Sequence, residues 1–249
     1  MSSVDLALEP RHVYGLIKAG TRLPDDLTGF GPSGRVSTIR HGRVAAIVGD
    51  VPDRPLGVRG DLVAHETVLD TVAAGNAVVP MRFPAVVEED AIVEELLAPN
   101  EDHFLALLDE LEGRVQFTLT GRYERDAVLR ELLMGSDEIR ALREKVWDLP
   151  EDASYYDRVR LGELVVAALG ERRQIEGAQI LKQLEPFAVA TVSHQLASPE
   201  DVVDNAFLIE RERQQEFDDA VEDIGEELAG RVRLRLLGPV AAYDFVGRN

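Results

Sequence analysis

The chain has 249 residues, of which 45% are hydrophobic, and its formal net charge is −19. It contains no cysteine, which excludes disulfides, thiolate chemistry and cysteine-ligated zinc. Such acidity opposes binding to phosphate backbones and to anionic lipid surfaces, and no apolar run reaches the roughly eighteen residues that a membrane span needs. The chain also begins without a basic region followed by an apolar core. We therefore expect a cytoplasmic protein with no nucleic-acid and no membrane partner.

Residues 1–112 have the element order of a shortened ferredoxin-like domain. Hydrophobic periodicity and turn residues predict, in chain order, a central strand at 13–18, a loop at 21–34, strands at 36–40 and 44–48 joined by the turn His41-Gly42, a helix at 61–74, a strand at 78–83 and an amphipathic helical stretch at 88–111 interrupted at Pro99. A ferredoxin-like domain normally has a helix between its first two strands. Because a loop takes that place here, the sequence predicts a modified ferredoxin-like N-terminal domain.

Residues 113–249 predict a second α+β domain with a projecting helical hairpin at about 124–184. Its predicted elements are a strand at 115–120, a helical region at 124–146, a helix at 156–184, strands at 187–192 and 202–209, a helix at 211–228 and a strand at 232–237. The order βαββαβ is ferredoxin-like. The polar segment at 148–154 is expected to join two antiparallel helices. The predicted fold class is therefore α+β, with two related domains.

An apolar stripe runs along the long helix predicted at 156–184. Its members lie on roughly one side: Val159, Leu164, Ala168, Ile175, Ala178 and Leu181. The charged residues between them predict a solvated, coiled-coil-like outer surface.

The motifs that could indicate catalysis or ligand binding lack the secondary structure or the spacing that these functions require. Residues 29–34 match the dinucleotide pattern G-x-G-x-x-G, but that pattern needs a strand before it and a helix after it, and here a loop precedes and a hairpin follows. The five histidines show no metal-ligand spacing: His12, His41, His65, His103 and His194. Adjacent carboxylates on a helix point in different directions and do not form a catalytic pair by themselves. We expect no catalytic residue, no cofactor and no metal.

Arg82 is a charged residue at the end of an apolar run that also contains Pro80. Both residues are unfavourable in a buried strand, because Pro80 cannot donate to the ladder and a buried arginine needs acceptors. Two interpretations stay open. Arg82 forms an internal salt bridge that locks the two domains, with a carboxylate from the helical stretch at 88–111, or it contacts a partner.

Three aromatic residues join Arg82 as candidate partner-binding or interdomain residues. Tyr14, Tyr243 and Phe245 lie in predicted sheet segments near the two ends of the chain. They are interpreted first as core aromatics of the strands and second as part of a docking surface.

Five segments resemble, in order and spacing, the signatures of the gas vesicle protein L/F family. P-M-R-F at 80–83 is similar to the family's V-x-P-M-R-F, residues 12–17 to its opening strand YVYGIV, residues 113–119 to GkvE-x-x-v, residues 205–211 to N-x-A-F-L-V, and residues 237–246 to the ending GPWPPYSFV. In the last segment the family's Trp and both prolines are replaced by Val240, Ala241 and Ala242. The rigid aromatic tail of the family is therefore altered in this chain.

This resemblance implies a two-domain α+β fold and a role in building gas vesicles, the hollow protein shells that provide buoyancy. It implies a non-enzymatic accessory protein or minor shell component, located in the cytoplasm and at the gas vesicle. The implied partner is the small hydrophobic major shell subunit, and other gas vesicle accessory proteins are further candidates. A different function stays open: a ferredoxin-like ligand-binding or enzymatic protein that uses the interdomain cleft.

Overall fold

A computed structural model of the chain describes residues 9–247, except for the side chain of Glu151. Helices account for 49% and strands for 27% of the structure, and the strands form two sheets, which confirms the predicted α+β class. The chain divides into two compact units. The first unit comprises Met1–Phe117, Leu208–Glu212 and Gly238–Asn249, and the second comprises Thr118–Phe207 and Arg213–Leu237. The predicted domain boundary between residues 112 and 113 stays a prediction.

The first unit contains a five-stranded sheet and the helices that cover it. Its elements are β1 (Pro10–Lys18), β2 (Val36–His41), β3 (Val44–Asp50), α1 (Arg59–Ala73), β4 (Val79–Pro80), β5 (Val86–Glu88), α2 (Glu89–Ala91), a π-helical segment (Ile92–Leu97), a 3₁₀ turn (Ala98–Asn100) and α3 (Glu101–Leu111). The strand order is β2-β3-β1-β4, and β5 also pairs with β1. The central strands β1 and β3 are almost wholly buried, because α1, α3 and the π-helical segment pack on the sheet.

A β-bulge in β1 places Tyr14 in the core of the first unit. Val13 pairs with Val48 and Gly15 pairs with Ile47, so Tyr14 is the extra residue of the bulge. The hairpin between β2 and β3 turns at Gly42, whose φ of 51° is in the left-handed region, as the sequence predicted.

The strand predicted at 78–83 is shorter in the structure. Only Val79–Pro80 is a strand, and pairing with β1 resumes at β5 after a short loop. Two prolines, Pro80 and Pro84, cannot donate to the ladder, which explains why the strand is interrupted. Arg82 lies in this loop and its side chain is exposed.

The second sheet has four strands and belongs mainly to the second unit. The remaining elements are β6 (Arg114–Tyr123), α4 (Arg125–Gly135), α5 (Asp137–Trp147), α6 (Glu151–Leu184), β7 (Ala188–Ser193), β8 (Asp201–Glu210), α7 (Gln214–Glu227) and β9 (Val232–Val240). The strand order is β7-β8-β6-β9. In both sheets the order is therefore second, third, first and fourth strand, which is the ferredoxin-like order that the sequence predicted.

The helical region between β6 and β7 differs in two ways from the prediction. The first half of the hairpin is two helices, because the chain leaves the helical conformation at Ser136, whose hydroxyl then caps α5 by accepting from the Ile139 amide at 3.3 Å. The apolar stripe of α6 is not its buried side, since Val159 and Ile175 are exposed. The buried side chains of α6 include Leu169, Ile180 and Leu184 instead.

Candidate functional site

Helices α4, α5 and α6 form what we call the arm, residues 125–184, and an apolar groove lies between them. The groove has a volume of about 460 Å³. It is lined by Leu129, Leu132, Leu133, Ile139, Arg143, Val146, Trp147, Arg158, Leu161 and Val165. We refer to it as the arm groove. Leu132, Ile139 and Val146 are buried, whereas Trp147 is 69% exposed at the surface.

Polar contacts hold the turn between α5 and α6 beside the arm groove. Arg158 on α6 donates to the Val146 carbonyl at 3.1 Å and to the Ser154 hydroxyl at 2.8 Å. Ser154 in turn donates to the Pro150 carbonyl at 2.8 Å. Arg158 therefore satisfies a carbonyl at the C-terminal end of α5, where a positive charge is also favoured by the helix dipole.

The arm carries an unusual share of the exposed apolar surface. Large hydrophobic side chains on the arm that are exposed include Met134, Trp147, Leu149, Tyr155, Tyr156, Val159, Val166 and Ile175. Tyr156 is 86% exposed and Met134 is 73% exposed. Eight of the large hydrophobic side chains that are exposed among the described residues lie on the arm, and exposed apolar surface of this kind often marks a surface that contacts another molecule.

The charge of the arm differs from that of the rest of the chain. The arm holds ten Lys and Arg against twelve Asp and Glu, a net charge of −2 out of −19 for the whole chain. Arg143 lies at the rim of the groove with its guanidinium 5.0 Å from the centre of the Trp147 ring, a cation–π contact. Within residues 9–247, Arg143 has no carboxylate partner. The mouth of the arm groove is therefore apolar and positively charged.

A partly buried ion network fastens the arm to the second sheet. Glu176 on α6 accepts from the Tyr123 hydroxyl at 2.7 Å and from Arg172 at 3.2 Å, and it also pairs with Arg231. Glu131 on α4 contacts both arginines. Burial alone raises the pKa of Glu176, but the hydrogen bonds and the arginine charges outweigh it, so that its pKa is lowered. The network thus holds a carboxylate ionised beside the sheet.

The structure places Arg82 at the surface and not in an internal salt bridge. It is exposed, and within the described part of the chain it has neither a hydrogen bond nor an ion pair. The carboxylate expected from the helical stretch after Glu88 does not reach it, because Glu89 pairs with Arg11 at 2.9 Å. The described residues therefore offer no salt-bridge partner for Arg82, and both the interdomain role and a contact with a partner stay predictions.

Tyr14 belongs to the core and not to the surface. Its side chain is fully buried, and its hydroxyl accepts a hydrogen bond from the Phe30 amide at 3.1 Å. Burial raises the pKa of Tyr14 to about 12. Tyr14 is therefore a core aromatic residue, which was the first of the two interpretations.

Tyr243 and Phe245 lie in a short 3₁₀ turn that follows β9, within the C-terminal segment of the first unit. Both are partly buried, and Tyr243 packs against the core cluster that includes Tyr14. The preceding Ala241 is fully buried, and its amide donates to the Asp70 carboxylate on α1 at 2.9 Å. The tail is thus built into the first unit. A docking role for either aromatic residue stays a prediction.

Sequence reasoning missed a buried histidine pair in the first unit. His65 Nε2 donates to the Met81 carbonyl at 2.9 Å, so the neutral His65 ring accepts at Nδ1 from His12 Nε2, also at 2.9 Å. His12 Nδ1 is then buried without a hydrogen-bond partner among the described residues. Burial, followed by the neighbouring His65, lowers the pKa of His12 to about 3. The available signal was a histidine inside the apolar strand β1.

Among residues 9–247, no group of three or more His, Asp or Glu is arranged to hold a metal ion. The glycine-rich segment at 29–34 lies in the loop before β2, where the Phe30 ring is buried, and no helix begins there. Within the same residues, none of the helices has the length and hydropathy that crossing a membrane requires.

The fold and the arm define a ferredoxin-like α+β protein with two sheets and an exposed apolar arm. A sequence model of the family described as gas vesicle synthesis protein GvpL/GvpF matches residues 10–247. Gas vesicle protein F from a Streptomyces species is 30% identical over 240 residues, which cover 94% of this chain and 98% of that relative. The chain therefore belongs to the GvpL/GvpF family, and its role is related to gas vesicles.

Two crystal structures show the same fold. Gas vesicle protein F from an Anabaena species superposes with a TM-score of 0.80 at 22% identity, covering 97% of this chain and 99% of that chain. The protein from Microcystis aeruginosa superposes with a TM-score of 0.74 at 22% identity, covering 95% and 98%. The resemblance found in the five sequence segments is thereby confirmed.

Proposed function

We propose that this chain is a non-enzymatic accessory protein of gas vesicle assembly that binds the small hydrophobic major shell subunit. Binding would cover apolar surface of the subunit and so prevent the subunit from aggregating before it is incorporated into the shell. Other accessory proteins of the gas vesicle are further partners under this proposal. The proposed site of action is the growing gas vesicle.

The observation that carries this proposal is the exposed apolar surface of the arm. Membership of a family of gas vesicle synthesis proteins supplies the biological setting. The arm then supplies a surface of suitable chemistry, since Met134, Trp147 and Tyr156 are each more than two-thirds exposed. Side chains of this size contribute most to binding when a partner buries them.

The charge distribution supports the same proposal. The arm is almost neutral, whereas the remainder of the chain holds nearly all of the net charge of −19. An apolar partner is not repelled at the arm, and the acidic remainder keeps the complex soluble. It also steers the encounter with basic groups on the partner.

Co-expression with the major shell subunit tests the proposal. The chain carries an affinity tag, and the control is an unrelated tagged protein of matched size and acidity. We expect the subunit to stay in the soluble fraction and to be retained only by this chain. If the folded chain retains no more subunit than the acidic control does, the proposed function is wrong.

A further inference from the structure

We propose that the arm groove binds a single amphipathic helix of a gas vesicle subunit. The apolar face of that helix lies in the groove, and a carboxylate at the edge of the face pairs with Arg143. This inference rests on the function proposed above and names the surface that carries it out.

The backbone of the arm favours a helix over an extended segment as the occupant. Adding a strand to a sheet requires free amide and carbonyl groups along an edge. The lining of the arm groove comes from helices α4, α5 and α6, whose backbone groups are bonded within each helix. Only side chains are offered to the partner, which is the situation in which apolar residues of a partner helix, spaced three and four apart, insert into a groove.

The lining also sets the chemistry of the partner. Eight of the ten lining side chains are apolar and the other two are arginines, so the described lining has no carboxylate. Arg158 already donates to neutral acceptors of the turn between α5 and α6. Arg143 stacks on the Trp147 ring, has no hydrogen bond or ion pair to another described residue, and is exposed at the rim. A partner that is apolar and carries a carboxylate at its edge satisfies both features, because arginine pairs with carboxylates through two parallel hydrogen bonds.

A second copy of this chain fits the groove less well than such a helix does. Two copies would bring together two net charges of −19, and their repulsion opposes self-association. The Trp147 indole lines the groove and is also largely exposed, so that the apolar lining continues to the protein surface. A lining of this extent suits a helix better than a small molecule. The structure thus favours a different protein as the partner. Its contact surface is apolar and carries a carboxylate where it meets Arg143.

The test uses two variants in the full chain, each with a matched control. Leu161→Glu places a carboxylate in the apolar lining, and its control is Val189→Glu on β7, an apolar side chain outside the arm that is 45% exposed. Arg143→Glu reverses the charge at the rim, and its control is Arg140→Glu on the same helix, a residue that pairs with Asp137. Circular dichroism and thermal unfolding establish that all four variants fold.

Retention of the co-expressed major shell subunit is then measured. We expect Leu161→Glu to weaken apparent affinity about 30-fold, as for a central apolar contact, and Arg143→Glu about tenfold. Both controls should retain the subunit as the unaltered chain does.

The outcomes separate this inference from the proposed function. If the unaltered chain retains no subunit, both are overturned. If the unaltered chain retains it and Leu161→Glu does so equally well, only the groove is overturned. If Arg143→Glu behaves like Arg140→Glu, the carboxylate pairing is wrong. Sedimentation measures the oligomeric state of the purified chain. If the chain is a dimer and Leu161→Glu is a monomer, the groove binds a second copy of the chain and the inference is overturned.

Discussion

The two sheets have the same strand order but connect their first and second strands in different ways. In the first unit the connection is the loop at 19–35, and it is folded inward: Phe30 is 8% exposed, and its amide donates to the Tyr14 hydroxyl. In the second unit the connection is the arm, which leaves large apolar side chains in solvent. The sheet itself tolerates either connection. The comparison therefore indicates that the first crossover is where this fold can gain a surface without changing its strand pairing.

The strongest test of this comparison asks whether aromatic residues of the sheet core and of the arm serve different purposes. Phe217 on α7 is fully buried, with its ring centre 5.4 Å from that of Phe207. We expect Phe217→Ala to lower the free energy of unfolding by about 3–5 kcal/mol, because it leaves a cavity in the core. Urea unfolding measures the change.

The matched variant on the arm is Tyr156→Ala, where the side chain is 86% exposed. Its effect on the free energy of unfolding should stay within about 0.5 kcal/mol. A loss of similar size in both variants would show that the exposed aromatic side chains of the arm stabilise the fold, and the distinction between the two regions would fail.

The second test concerns the ion network that fastens the arm to its sheet. Glu176→Gln should lower the free energy of unfolding by about 1–3 kcal/mol at pH 7, because it removes one of the two carboxylates that Arg172 and Arg231 share and leaves them only Glu131. The pKa of Glu176 is lowered in the folded state, so its stabilisation is present above the unfolded pKa of about 4.3 and is lost as the pH falls through the folded pKa.

The difference between the unaltered chain and Glu176→Gln should therefore shrink on acidification below about pH 4. Glu171→Gln, at an exposed position of the same helix, is the control and should change little. A difference that is constant down to pH 3 would contradict the assigned ionisation.

The third test addresses the histidine pair, a feature of the first unit. The folded pKa of His12 is about 3, below its ordinary value of 6.5, so the unfolded chain binds the proton more readily and stability falls as the pH drops below 6.5. Between pH 6.5 and pH 5 this linkage removes about 1.5 kcal/mol from the free energy of unfolding. His12→Phe should remove that part of the pH dependence.

Denaturant unfolding at several pH values measures the slope. The control is His103→Phe, an exposed position on α3, which should leave the slope as it is. Equal slopes for the unaltered chain and His12→Phe would mean that His12 is not held neutral in the folded state.

The smallest expected effect concerns the contrast between the near-neutral arm and the acidic remainder. If the remainder steers the encounter with basic groups of the shell subunit, raising the salt concentration from about 50 to about 500 mM should slow association about tenfold and leave dissociation nearly unchanged. Stopped-flow or surface-based kinetics can resolve the two rates. An association rate that does not depend on salt would remove steering from the proposed function.

The sequence predicted most strands because apolar runs and turn glycines are local signals. The hairpin at Gly42 and the order βαββαβ follow from such signals. The burial assumed for Arg82 was wrong because the apolar run was taken as a continuous strand, whereas the strand ends at Pro80. The apolar stripe of α6 did not identify its buried side, because this helix has apolar residues on more than one side and periodicity cannot tell which side packs on the rest of the unit.

The histidine pair and the arm groove depend on contacts between distant segments. His12 and His65 are 53 positions apart, and their hydrogen bond exists only once α1 packs on β1. The arm groove lies between helices that include α5, which begins after the cap Ser136; the pattern Ser136-Asp137-Glu138 is typical of a helix start, but the prediction took 124–146 as one helical region. In both cases the sequence shows the residue types, but it does not show that these residues come into contact.

The buried tail has a consequence for the order of events during synthesis. Ala241 and the Asp70 carboxylate meet in the first unit, yet the second unit is encoded between them. A ribosome therefore finishes the sequence of the second unit before it releases the residues that complete the core of the first. We expect prematurely terminated chains to hold a first unit with an open core, which proteases and chaperones recognise, so that only full translation yields a protein that persists in the cell.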